Sequence, residues 1–233
     1  MTIKPTKYFI QNANISQHVE NFVKNILHHL CKPQTSTISF VCNHIGNKIM
    51  LATLFGKKKL TEDKAANIFV NSLIKVVENS FSDIVDSIKA DGEFIETPTI
   101  SVTDSDKFLM IVLAGNLKYL SRHLSASEEI ILKGKIIEKF GVVYGLSYAD
   151  MKAIVDQYSD FIYRVNHPSR NTLYGMSKAV FFKYNLGQYQ DEYFSLLNAP
   201  SPILLKRMDN LMENFLWDWD TFFDKYKFNL SEG

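Results

Sequence analysis

Ala65, Ile68, Phe69, Leu73, Val76 and Val77 recur at steps of three and four, with two adjacent pairs among them. Such a set falls on one side of the chain only if the backbone turns once every 3.6 residues, so the stretch predicts an α-helix with one buried face. The same period returns along most of the chain, and no sustained two-residue alternation or internal repeat competes with it. The expected fold is therefore all-α, an irregular multi-helix bundle of eight or nine helices. Only residues 36–54, where Ile38, Phe40 and Cys42 alternate, leave room for one short strand or hairpin.

Start and stop signals divide the pattern. A first helix is expected over 15–30, ended by Lys32-Pro33, and a second over 48–55, closed by Gly56. Thr61 followed by Glu62 and Asp63 opens a third, since a hydroxyl can accept from free N–H groups and acids suit the positive end of the helix dipole. Ser125 with Glu128 has the form of a capping box, Ser147 stands three residues before Asp150, and Ser169 follows His167-Pro168 as a further start. Ser201-Pro202 is a cap followed by proline at the first turn, where its missing N–H costs nothing. Residues 91–105 break the period with Gly92 and Pro98. They separate an N-terminal helical layer, 1–90, from a main bundle, 105–228, with a central C-terminal helix.

With 233 residues, 46% of them apolar, the chain can bury a full core without disulfides. Its 26 basic and 25 acidic residues leave a net charge of +1, which gives no nucleic-acid or anionic-membrane signal. The longest apolar run, 108–114, is too short to span a bilayer. Without an apolar leader in its first residues, the chain reads as cytoplasmic, with reduced thiols.

Four stretches invite a chemical reading. His28, Cys31, Cys42 and His44 are zinc-type ligands, but their spacing is not that of a structural zinc site, so no metal is expected. The favoured reading puts the histidines at a helix end and the cysteines in the core. Residues 56–61, GKKKLT, lack the earlier glycine of a phosphate loop, because position 51 is Leu. Residues 78–106 carry eight acids and one base, an acidic belt without the ligand order of a calcium loop. Residues 161–190 carry Arg164, Arg170, Lys178 and Lys183 and no acid. There Arg164, His167, Arg170, Asn171 and Lys178 form the candidate anion site, grouped about a turn and the start of the next helix.

The last stretch, 201–226, places Leu205, Met208, Met212, Phe215, Trp219, Phe222 and Tyr226 on a single helical stripe. Trp217 would then lie about 160° from Trp219 and stand clear of the stripe as an interface candidate. No catalytic motif is present. The sequence thus favours a non-enzymatic protein without a cofactor, acting as a scaffold or adaptor through a protein partner or self-association. The alternative is a small-anion or phosphate-ligand binding protein or enzyme that uses the basic segment.

Overall fold

Ten consecutive residues, 108–117, are buried on every side. They belong to a helix so uniformly apolar that it has no solvent face, which is the signature of an element enclosed by its neighbours. The computed structural model describes residues 57–228. Among them are eight α-helices: α1 (Glu62–Lys89), α2 (Ser105–Tyr119), α3 (Ala126–Tyr144), α4 (Tyr148–Asn166), α5 (Thr172–Lys183), α6 (Glu192–Leu196), α7 (Pro202–Glu213) and α8 (Trp219–Lys225). The enclosed helix is α2, packed by α1, α4 and α5, while α3 bridges α1 to α4 and α7 lies on α5. The fold is all-α, as the period predicts. The helices expected at 15–30 and 48–55, the strand near 36–54 and the His28, Cys31, Cys42, His44 set lie outside the described residues.

Two short strands join the ends of the described chain. β1 (Lys58–Leu60) pairs in parallel with β2 (Tyr226–Phe228), with Lys58 opposite Tyr226. Lys57 adds a bond from Nζ to the carbonyl of Phe223 at 2.9 Å.

Most of the local signals act as read. All six residues of the α1 stripe are buried, and Thr61 accepts from the Lys64 N–H. Ser125 and Glu128 form the full capping box, Ser147 accepts from the Asp150 N–H, and Ser201 from the Leu204 N–H, with Pro202 in the first turn. One start moves. Asn171 rather than Ser169 caps α5, its side-chain oxygen accepting from the N–H groups of Leu173 and Tyr174. Ser169 closes the preceding turn instead, donating from its N–H to the Asn166 carbonyl and from its hydroxyl to the Asn166 side chain. Arg170 then takes a left-handed φ of 57° before the cap. The α4–α5 crossing is close enough to require glycine, since a Cβ on Gly175 would meet the carbonyl oxygen of Ile162 at 3.0 Å and its Cγ2 at 2.9 Å.

The larger correction is at the C-terminus. The expected single helix over 201–226 is two helices, and the break between them is held by one buried side chain. Asn116, on α2, is fully enclosed. Its amide nitrogen donates to the carbonyls of Val112 at 2.9 Å and Phe215 at 2.8 Å, and its oxygen accepts from the Trp217 N–H at 2.6 Å. The Trp219 indole donates to the Asn116 carbonyl at 3.2 Å. A straight helix would turn the Phe215 carbonyl and the Trp217 N–H along its own axis, away from α2. The break turns both toward Asn116. It also rotates Trp217, which is 4% exposed and packs edge-on against Phe69 and Phe222 rather than standing away from the stripe.

Replacing Asn116 with leucine removes the partners of two buried backbone groups, each worth about 1–3 kcal/mol when left unsatisfied. Asn116→Leu is therefore expected to lose about 3–5 kcal/mol by urea denaturation. Asn116→Asp should lose a comparable amount, because a carboxylate cannot donate to either carbonyl. A loss below about 1 kcal/mol for both would contradict the role given to this side chain.

Candidate functional site

The basic segment forms a hairpin, α4 running into α5 through the turn at 167–171. Its cations lie on aromatic rings. Arg164 and Lys183 share the ring of Phe161, at 6.0 and 4.7 Å from its centroid, Lys183 also covers Tyr158 at 4.6 Å, and Lys178 covers Tyr174 at 4.6 Å. The ring quadrupole holds each cation near the surface without neutralising it. His167 and Arg170 are exposed in the turn. Asn171 is spent as the cap of α5, so its oxygen occupies the N–H groups that an anion would otherwise take. The structure thus brings Arg164 to Lys183 and gives Lys178 a ring of its own.

None of Arg164, Arg170, Lys178 and Lys183 pairs with a carboxylate among the described residues. The acidic belt finds other company: Asp91 pairs with Arg207 at 2.7 Å, Asp104 with Lys107 at 2.9 Å, and Glu93 accepts from the Ser201 hydroxyl at 2.6 Å. No group of three or more His, Cys, Asp or Glu side chains able to hold a metal ion occurs among the described residues.

A cleft of about 420 Å³ opens where α2 ends and α8 begins, lined by Tyr119, Arg122, His123, Leu216, Trp217, Asp218, Trp219 and Asp220. His123 Nδ1 stands 3.4 Å from the Asp220 carboxylate across it, and Arg122 lies over Tyr119 at 4.5 Å. Both oxygens of Asp218 are engaged by Thr221, one by its N–H and one by its hydroxyl. A histidine beside a carboxylate could move a proton, but among the described residues no Ser, Thr or Cys lines the cleft, and Asp220 is 88% exposed. Sequence spacing could not reveal this pair, since it forms only when the chain breaks at 214–218 and brings the start of α8 to the end of α2.

The third feature is an apolar surface. α6 has no buried residue. Tyr193, Leu196 and Leu197, with Ile95 and Ile203 beside them, are each between 54% and 79% exposed. The loops that present them are bonded together. Ile95 donates its N–H to the Tyr189 carbonyl at 2.8 Å, and buried Gln190 donates to the Ala199 carbonyl at 2.9 Å while accepting from the Ser201 N–H at 2.7 Å. Buried Gln190 thus joins the backbone on the two sides of α6. No sequence motif marks the patch beyond the apolar pairs at 193–194 and 196–197.

The chain matches no protein-family model, no curated protein and no solved structure. No helix among the described residues is long and apolar enough to cross a membrane.

One ionisable cluster bears on stability. Tyr144 donates to the Asp106 carboxylate at 2.9 Å and Tyr184 to the Asp104 carbonyl at 2.7 Å. Burial, and for Tyr144 the neighbouring Asp106 charge, push both phenols well above their usual range. The folded chain therefore keeps protons that the unfolded chain releases above pH ~10. Stability is full below that pH and falls as pH rises through it. Tyr144→Phe should reduce the slope of the alkaline loss, by up to about 1.4 kcal/mol per pH unit. Urea midpoints measured from neutral to strongly alkaline pH test this, and an unchanged slope would contradict it.

Proposed function

We propose that the protein is a non-enzymatic interaction protein and that the α6 surface is its contact site. The observation that carries this reading is the exposure of five large apolar side chains on α6 and on flanking segments that backbone and Gln190 hydrogen bonds tie together. Contiguous exposed apolar side chains mark interaction sites, because each Å² later removed from water returns about 25 cal/mol. The cleft at His123 is open to water, with Asp220 88% exposed, and holds no Ser, Thr or Cys among the described residues. A second reading, binding of a small anion at the basic hairpin, draws on the unpaired charge of Arg164, Arg170 and Lys178. Against it stands Asn171, whose side chain fills the amide site.

Because Leu196 and Leu197 are exposed, changing both to aspartate should leave folding stability within about 0.5 kcal/mol of the parent. The same change should abolish the association of the purified chain, with itself or with a copurifying protein, in sedimentation velocity. A parent chain that associates with nothing, or a variant that associates equally well, contradicts the reading.

A further inference from the structure

The basic hairpin and the surroundings of α6 carry opposite charge. Around the apolar residues stand Glu93, Glu96, Asp191 and Glu192, of which Glu96, Asp191 and Glu192 are exposed. Lys206, one turn from Ile203 on α7, reduces that acidic excess without reversing it, and Arg207 is already paired with Asp91. The hairpin carries the opposite excess: four cations and no acid over 161–190, with exposed Asp160 one turn before Arg164, and an aromatic ring in Tyr163, which is 64% exposed. Among the described residues no ion pair links the two surfaces. Arg164, Lys178 and Lys183 are held in place by Phe161, Tyr174 and Tyr158, so docking an acidic partner against them orders less side chain than usual.

We propose that the occupant of the α6 surface is a second copy of this chain, which presents its α4–α5 hairpin. The acids beside the α6 residues meet the cations of the hairpin, and both halves of the contact are present in every molecule. The whole chain carries a net charge of only +1, so two copies approach without mutual repulsion, while the segregated local charges orient them. The contact joins two different surfaces, so it is heterologous: an open assembly keeps one free surface of each kind, one at either end, unless it closes into a ring. This rests on the reading of α6 as a contact site and adds the identity of the partner.

The test is sedimentation velocity on the full chain over a wide range of protein concentration and at two ionic strengths. The expected result is association that rises with concentration and weakens about tenfold or more between low salt and about 300 mM salt, where exposed charges are screened. Arg164→Glu with Lys178→Glu should remove it, and so should Leu196→Asp with Leu197→Asp. Mixing these two variants should restore a complex that stops at one copy of each, because each variant retains the surface its partner needs. The neutral pair Arg164→Gln with Lys178→Gln guards against misfolding, and should weaken association and flatten its salt dependence. A parent chain that stays monomeric throughout overturns the second-copy proposal and leaves the α6 reading to be judged on other partners. Association that survives both hairpin variants overturns it as well. If that association is nevertheless lost in the Leu196, Leu197 variant, α6 remains a contact site that meets a surface of the second copy other than the hairpin.

Discussion

One asparagine side chain decides how the last part of this chain runs. Asn116 sits on the enclosed helix α2, where every neighbouring position is apolar and an unpaired amide would cost several kcal/mol. It is satisfied by backbone groups on both sides of the break between α7 and α8, and by one of its own helix. With the Trp219 indole on the Asn116 carbonyl, four bonds converge on a single residue. Their consequences spread outward. Phe215 meets Phe108 edge-on, Trp217 and Trp219 pack against Phe69, and Phe222 closes over both indoles. The reversal that follows carries the chain to β2 and its ladder with β1.

The contacts that are local in sequence were legible. A stripe such as that of α1, or a box such as Ser125 with Glu128, involves residues within a turn or two of each other, so spacing alone specifies the partner. The C-terminal stripe was legible in one sense only. Leu205, Met208, Met212, Phe215, Trp219, Phe222 and Tyr226 are all buried, as the period requires, yet the helix that the period implies is interrupted. Two short helices preserve the buried set while freeing the Phe215 carbonyl and the Trp217 N–H to leave the helical ladder. The signal for that break is an asparagine far upstream, within a run that otherwise reads as plain apolar helix. For the same reason Trp217, placed by helical geometry on the outer face, turns inward.

The candidate site was legible as charge and not as shape. The sequence shows a basic segment and an acidic belt, and it invites the inference that they meet across the fold. They do not. Asp91 turns to Arg207, Glu93 to Ser201 and Asp106 to Tyr144, while the basic residues lie on the rings of their own hairpin. Asn171, chosen as a potential ligand to an anion, serves the backbone as a cap. The α6 surface had no signal at all, because its definition depends on Gln190 reaching Ala199 and Ser201 from the far side of the helix.

The central structural claim is that the break at 214–218 is a locked part of the core and not a frayed linker between two helices. Amide hydrogen exchange at Trp217 addresses it directly, since that N–H donates to the Asn116 side chain. If the lock holds, the Trp217 amide exchanges only on global unfolding, with the same protection free energy as the core amides of α2. Exchange at Trp217 much faster than in α2, through a local opening that leaves α2 protected, would contradict the account.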